Sequence, residues 1–549
     1  MKFPSPFFSG MRRSAGISPV AHTFLLFLFL IIVVGPLAAL GIDLIQMVMS
    51  GSAPSSITSL LTERRLVLLL QSLGFAAAVA AAGIGAGILV ATALWRKSAG
   101  FSLAVLLLVI ALAPVPPYIH ALTWSSAISV CNQWLALLGA APLPATGWVV
   151  SFWVQFVAML PVAIFLSCIA LASVDRTLVE AARMMISDRQ VLRAIILPLA
   201  APTLLAAFGI LTVLSCTDYS VPSLFGSDTY ALDIFATYSS SGSSAGAIIT
   251  AIPLLIITLS VMSWCRSGIR RLAQTPNWIT GPWHSPPEFT PIVRIAQEGV
   301  LALLGIQILV TLFSLILSAG TLSRIGSTIQ FSVYEIQDSL LIAICTILIA
   351  LPLAFVVSRE LLREDFIGSL WWGIILVPLA LPAPLIGIGL ISLWNNPAFA
   401  GLYGTFLMPV FASVSRFAPF AAVILFVQIR SIDKALFDAA RIFSRDALHT
   451  TLTITVPLLA PGLIIASAVL GALTLGELGA TLIVTPPGFG TLAIKIYNYL
   501  HYGAAAEVAG LCLVMVIATF LAGLTVMAML IRQQRACARA AGTWRGENT

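Results

Sequence analysis

Apolar runs of bilayer length recur along the whole chain, and short polar segments between them hold almost all of its charge. An α-helix rises 1.5 Å per residue, so roughly 20 apolar residues cross a hydrocarbon core of about 30 Å. Runs of this kind predict membrane helices at 21–42, 66–94, 100–122, 148–172, 196–217 and 246–264. Six more are predicted at 298–319, 337–358, 370–393, 403–429, 455–475 and 505–531. The pattern predicts an all-α polytopic membrane protein of about twelve helices. Two six-helix halves, 1–264 and 298–549, are joined by a proline-rich polar linker at 265–297. Near the N-terminus, Lys2, Arg12 and Arg13 precede an apolar run from Phe24 to Val34, as in a signal peptide. That run continues to Leu40, long enough for an uncleaved first span.

Composition agrees with the pattern. Of the 549 residues, 59% are hydrophobic and 9% charged, against about 25% charged in a typical soluble domain. The net charge of +7 would be a hint of nucleic acid if it formed one patch, but it is dispersed. Arginine and lysine gather at Arg96 and Lys97, Arg176 to Arg193, Arg266 to Arg294, Arg359 and Arg363, Arg430 to Arg445, and Arg532 to Arg545. These segments all fall on one side if the twelve spans are threaded with the N-terminus inside. Only Arg64, Arg65, Arg324 and Lys495 fall in the other loops. The bias predicts cytoplasmic N- and C-termini. The seven cysteines show no C-x-x-C spacing and the five histidines are scattered. Neither a disulfide framework, a metal site nor a clustered catalytic site is predicted.

The two halves repeat. Ser173-Val-Asp175-Arg176-Thr-Leu178-Val-Glu180-Ala181-Ala182-Arg183 returns as Ser431-Ile-Asp433-Lys434-Ala-Leu436-Phe-Asp438-Ala439-Ala440-Arg441, each between the fourth and fifth spans of its half. Leu197-Pro198 to Pro202 matches Val456-Pro457 to Pro461. Pro114 to Trp124 echoes Pro384 to Trp394, and Gln71-Ser72-Leu73 echoes Asp338-Ser339-Leu340. An even number of spans per half returns both copies to the same side, so the repeat is parallel. Within the repeated loops, about 173–197 and 430–456, Asp175 and Asp433 suit a helix N-cap. Thr177 and Glu180 have capping-box spacing, and Glu180 and Asp438 favour the first helical turn. The paired alanines leave the backbone open to another surface.

These loops resemble the "EAA" loop of type I binding-protein-dependent ABC importer permeases. In that family the pattern E-A-A, then G, then I-x-L-P marks a short coupling helix that docks on an ATPase subunit. The first copy keeps Glu180-Ala181-Ala182 and Ile195-Ile196-Leu197-Pro198 but is one residue shorter, with Ile186 at the glycine position. The second keeps the length but has Asp438 for glutamate and Ser444 for glycine. The glycine separates two short helices in the family, so the resemblance alone does not fix the shape of the break here. It implies a docking role for Asp175, Glu180, Ala181, Ala182, Arg183 and Ile186, and for Asp433, Asp438, Ala439, Ala440, Arg441 and Ser444. It further implies two ABC ATPase subunits and a periplasmic solute-binding protein as partners, in a bacterial inner membrane.

No phosphate-binding loop is present, since none of Lys2, Lys97, Lys434 and Lys495 follows a glycine. The chain is therefore expected to bind no cofactor and to carry no catalytic residues, with ATP used by the partner ATPase. A charged side chain at membrane depth is costly, so Asp218, Glu477 and Arg416 are candidates for the translocation path. Asp218 and Glu477 are repeat-equivalent at the outer ends of the fifth spans, while Arg416 aligns with Ala158. Each has a plainer reading, an interfacial carboxylate or an arginine paired with one. The fused form is similar to ferric-iron and thiamine importer permeases, which implies a small solute, ferric iron first, with thiamine, phosphonate or polyamine as alternatives. A twelve-span secondary transporter is the rival of a different class. It would be expected to carry more buried charge and would need no docking loops.

Overall fold

A computed structural model describes residues 19–50, 62–274, 288–433, 435–436, 451–502 and 505–546. All regular secondary structure in these segments is helical. Among the described residues, ten helices are long and apolar enough to cross a membrane. With the shorter helices used below they are α1 (Val20–Met49), α2 (Glu63–Leu94), α3 (Ala99–Leu112), α4 (Pro117–Leu137) and α5 (Trp148–Ala172). Next come α6 (Arg176–Arg183), α7 (Asp188–Thr217), α8 (Tyr230–Ser241), α9 (Ser244–Ala273), α10 (Pro291–Ala319) and α11 (Leu322–Phe331). The rest are α12 (Val333–Leu361), α13 (Phe366–Ala380), α14 (Ala383–Trp394), α15 (Leu407–Ser431), α16 (Thr453–Leu475), α17 (Leu492–Tyr502) and α18 (Ala506–Gln533).

The third span of each half differs from the straight helix expected at 100–122 and 370–393. The chain turns by 103° between α3 and α4 and by 106° between α13 and α14. Prolines set the bend. Pro116, with φ −60° and ψ 139°, and Pro382, with φ −57° and ψ 138°, stand in the extended region just before α4 and α14. A residue before proline is pushed out of the helical region, as Leu381 at ψ 133° also illustrates. With 14 and 15 residues, α3 and α13 reach about 21 and 22 Å, short of a ~30 Å core. Taken as one crossing each, the two bent pairs bring the ten spans of the described residues to twelve. The polar linker is also narrower than expected. Helix α9 runs past residue 265 to Ala273, and α10 begins at Pro291.

Proline also explains a feature of both fifth spans. Leu192–Ile196 and Thr451–Thr455 are single wide π turns, each ending two residues before Pro198 or Pro457. A proline supplies no N–H to the turn before it, and in the first copy the Leu197 N–H reaches back to the Leu192 carbonyl instead. The same device precedes Pro36, where the Gly35 N–H donates to the Leu30 carbonyl.

The two halves interlock. Helix α1 packs on α12 and α14 of the second half, while α10 packs on α2 and α4 of the first. Helix α3 lies against α18, and α13 against α9. Close approach requires glycine at these crossings: a Cβ on Gly389 of α14 would fall 2.4 Å from the Pro36 carbonyl oxygen, and one on Gly523 2.5 Å from Ala111 Cα. Small residues at crossings are what helix association in lipid demands, because dispersion contacts rather than water expulsion hold the helices together.

Polar contacts at the helix ends define two faces. On one face His22 meets Glu360 at 3.5 Å, Lys97 meets Glu298 at 2.7 Å, and Arg266 donates to the Ser369 carbonyl at 3.2 Å. On the other face Arg65 pairs with Asp233 at 3.0 Å and Lys495 with Glu335 at 2.7 Å. These two pairs join the second span to the helix after the fifth span in each half, with the signs of charge exchanged. Nearby, Ser72 Oγ accepts the Tyr230 N–H at 2.9 Å and Ser339 Oγ accepts the Leu492 N–H at 2.7 Å.

Candidate coupling loops and translocation path

The first loop is the short helix α6 joined by a turn to the first residues of α7. Asp175 caps α6: its Oδ1 accepts the Thr177 N–H at 2.9 Å and the Thr177 hydroxyl at 2.8 Å. These bonds hold the exposed carboxyl below the usual carboxylate range. Thr177 is thus a donor to the cap and not the cap that its spacing to Glu180 predicts. The capping box belongs to the next helix, where Ser187 and Gln190 satisfy one another across the first turn of α7. Between them, Met184, Met185 and Ile186 make the break with no residue but glycine at positive φ anywhere among the described residues. The family's glycine is therefore not needed for the break. A turn closed by the Met185 and Ile186 N–H groups on the Ala182 carbonyl replaces it.

Arg183 fastens the corner. Its Nε donates to Asp188 Oδ1 at 2.7 Å and its Nη2 to Oδ2 at 3.2 Å. The same Oδ2 accepts the Glu288 N–H at 2.6 Å, which ties the loop to the end of the linker, just before α10. Arg183 holds the Asp188 carboxyl below its ordinary value, with the Glu288 N–H adding to the effect. Glu180 and Ala181 face solvent, Ala182 is half-buried, and Val179 is the anchor at 2% exposure. Met184 and Met185 are 85% and 84% exposed. Large, flexible apolar side chains presented this openly on a polar loop fit a covered surface. In the second loop Asp433 Oδ1 accepts the Ala435 N–H at 2.9 Å, the same cap one repeat later. Asp438, Ala439, Ala440, Arg441 and Ser444 lie outside the described residues.

Both loops open on one face. Six crossings separate them: α7, α9, α10, α12, the α13–α14 pair and α15. An even count returns the chain to the side it left, provided each bent pair crosses once. The ring contact of Phe426 with Trp372, whose Nε1 donates to the Leu361 carbonyl, puts the end of α15 beside the face of Glu360.

Asp218, Glu477 and Arg416, far apart in sequence, come together at the opposite end. Arg416 Nη1 donates to Glu477 Oε2, joining α15 to the turn after α16. The other oxygen, Glu477 Oε1, accepts the Ala480 N–H at 2.8 Å. Asp218 and Tyr219 lie within Coulombic reach of the same guanidinium from the first half. Asp218 Oδ1 accepts the Ser220 N–H at 3.0 Å and the Ser220 hydroxyl at 2.7 Å, starting the short helix Ser220–Leu224. The two bends frame this cluster. A Cβ on Gly476 would fall 2.6 Å from Pro116 Cγ, and one on Gly479 2.5 Å from Ala383 Cβ and 3.6 Å from the Tyr219 ring.

The cluster includes residues that the sequence reading passed over. Gln155, Ser413, Ser215 and Thr474 are all buried, and each has a side-chain polar atom with no hydrogen-bond partner among the described residues. The repeat was the signal that could have found them. With Ser173 set on Ser431, Gln155 falls on Ser413; with Pro198 set on Pro457, Ser215 falls on Thr474 and Asp218 on Glu477. His120 and Trp124 also lie on α4, buried and half-buried, with ring nitrogens that have no hydrogen-bond partner among the described residues.

No family model matches the chain. It is 34% identical over 198 residues to the molybdenum transport system permease protein ModB of Haemophilus influenzae, covering 33% of this chain and 86% of that protein. It is 30% identical over 175 residues to the molybdate/tungstate transport system permease protein WtpB of Pyrococcus abyssi, covering 31% and 68%. A putative 2-aminoethylphosphonate transport system permease protein, PhnV of Salmonella typhimurium, matches at 26% over 207 residues, 37% of this chain and 77% of that protein. Each match fills about a third of this chain and most of a shorter relative, the proportion expected if one repeat corresponds to one relative. The duplicated loops, the crossing pattern and these relatives agree: the chain belongs to the permeases of ABC transport systems.

Proposed function

We infer that this chain forms the whole transmembrane pathway of an ATP-driven importer, carrying a small solute from periplasm to cytoplasm by alternating access. The observation that carries this reading is the pair of capped, repeat-equivalent loops opening on one face of an interlocked pair of halves. That face holds most of the arginine and lysine, so it is taken as cytoplasmic, with both termini there. Two ATPase subunits dock, one on each loop. Met184, Met185 and Ile186 offer the apolar contact of the first, and the Arg183–Asp188 pair keeps its two helices at a fixed angle. Closure of the ATPases on ATP moves both loops, and the interlocked halves transmit that motion to the far end of the bundle. There the cluster of Asp218, Arg416 and Glu477, closed over by the contacts of Gly476 and Gly479, is the outer constriction of the path. A soluble binding protein delivers the solute to it.

The relatives' names speak of molybdenum, molybdate or tungstate, and 2-aminoethylphosphonate. Ferric iron rests on the fused architecture alone. The permease reading is tested by purifying the chain with its genomically adjacent ATPase and binding protein and reconstituting them in liposomes. Two ATPase copies per chain by native mass spectrometry, and solute uptake dependent on ATP, are expected. Paired Glu180→Ala and Asp438→Ala substitutions should weaken ATPase association and uptake about tenfold or more. Unchanged association and uptake in that variant would sink the docking role.

A further inference from the structure

The cluster at the outer constriction leaves polar atoms of the first half unused. Asp218 Oδ1 is occupied by Ser220, but its Oδ2 is buried with no hydrogen-bond partner among the described residues. Gln155, 0% exposed on α5, is turned toward that carboxylate, yet neither of its amide atoms completes a hydrogen bond. Ser215 Oγ, one helical turn before Asp218, and Tyr219 Oη are buried and unpartnered as well. Leaving a buried donor or acceptor unmade is expensive, and native folds keep few of them without a use.

The charges say what kind of group would fit. Arg416 is engaged by Glu477, and the second Glu477 oxygen is taken by the Ala480 N–H. That pair is closed on itself, so the carboxylate of Asp218 is the charge left without a direct partner. An anion placed here would meet that carboxylate, with the nearest guanidinium already bound. A metal ion would want more anionic ligands, and no group of three His, Cys, Asp or Glu side chains suited to one forms among the described residues. One carboxylate oxygen with three neutral oxygens (Gln155 Oε1, Ser215 Oγ and Tyr219 Oη) suits a protonated amine, whose three N–H donors need acceptors and whose single charge needs one counter-charge. The second half places Ser413, Thr474 and Glu477 at the equivalent positions and adds Arg416 where the first has Ala158. With Glu477 bound by Arg416 there, the carboxylate left without an ion-pair partner is confined to the first half.

Resting on the permease reading above, we propose that Asp218, Gln155, Ser215 and Tyr219 form a membrane-embedded site for the protonated amine of the transported solute. The solute is then an amine or an amine-bearing zwitterion. The test uses the full complex with its ATPase and binding protein in liposomes, with radiolabelled putrescine and 2-aminoethylphosphonate as amine probes and molybdate and ferric citrate as amine-free probes. ATP-driven uptake of at least one amine probe is expected. Asp218→Asn, which keeps the Ser220 contacts, should lower it about tenfold or more. Gln155→Leu should lower it less, and Asp218→Glu should restore part of it. Each variant should still assemble with two ATPase copies by native mass spectrometry and melt at the native temperature in detergent, which separates loss of the site from loss of the fold. Amine uptake that Asp218→Asn leaves intact would overturn the proposal. So would an intact, ATP-hydrolysing complex that carries molybdate or ferric citrate but neither amine, while leaving the permease reading in place. A chain that binds no ATPase would refute the permease reading itself.

Discussion

Arg183 and Asp188 show how one ion pair can set the shape of a docking surface. The pair is 16% exposed on each side, so it is partly shielded from solvent and its Asp188 carboxyl sits below the ordinary value of about 3.9. A depressed folded value means the pair contributes above the ordinary value and is lost as pH falls through the folded one. Asp188→Asn should therefore speed amide exchange across residues 176–191 at pH 7. The difference from the native chain should shrink as pH drops below about 4, as measured by exchange mass spectrometry corrected for intrinsic rates. A gap that persists undiminished at low pH would show that the carboxylate's charge is not what holds the corner. Steric fit is the other residue-scale constraint. A Cβ on Gly268 of α9 would fall 2.2 Å from the Pro202 carbonyl oxygen and 2.6 Å from Ala206 Cβ, so Gly268→Leu must force α7 and α9 apart. A loss of about 1–3 kcal/mol is expected, visible as a lower melting temperature in detergent. Gly299→Ala in α10, with nothing within 4 Å, is the control and should not lower it.

Among the elements, the bent third spans carry the clearest departure from the hydropathy pattern. A window average sees 100–122 and 370–393 as single apolar runs because the bend itself is apolar. Pro114, Pro116, Pro117, Pro382 and Pro384 were visible in the sequence, but prolines also sit inside straight spans, at Pro161 and Pro419. Sequence alone does not separate these two uses. What decides is tertiary: α14 leaves its own axis to pack on α1, and α4 to pack on α10. Replacing Pro382 and Pro384 together by alanine removes the local bias and leaves that packing to hold the bend alone. A melting temperature lower by the equivalent of about 1 kcal/mol and reduced uptake in liposomes are expected. Unchanged values would mean that packing, not proline, makes the bend. The caps were more legible. Asp175 and Asp433 cap as their side chains predict, because an N-cap depends only on neighbours two or three residues away. The Ser187–Gln190 box is equally local, with the same spacing as the Thr177–Glu180 match before the break, and only the structure separates the two.

At the level of the whole molecule, a bundle of ten to twelve spans, the repeat and the three charged residues are legible in the sequence, since each is written in composition or in self-similarity. It did not reach the meeting of Asp218, Glu477 and Arg416, because that depends on how two halves approach, and no pattern within either half encodes the approach. The interlocking of α1 with α12 and α14, and of α10 with α2 and α4, was hidden for the same reason. It has a consequence for topology. The two loops share one face only if the α13–α14 pair, the bent pair that lies between them, crosses the bilayer once. Should that pair instead re-enter, five crossings would separate the loops and they would face opposite sides. Two positions decide between these. Met184, 85% exposed on the first loop, belongs to the face taken as cytoplasmic. Asp228 lines a cavity of about 600 Å³ at the other end, beside Glu63, Arg64 and Trp148. In a background with the exposed Cys131 changed to serine, Met184→Cys should react with an impermeant maleimide only in inside-out vesicles. Asp228→Cys should react only in right-side-out cells. A third position, Asp433→Cys at the start of the second loop, should behave as Met184→Cys does. Labelling of Asp433→Cys from outside would show that a bent pair turns back within the membrane, and the shared face of the two loops, with the docking of two ATPases on it, would have to be given up.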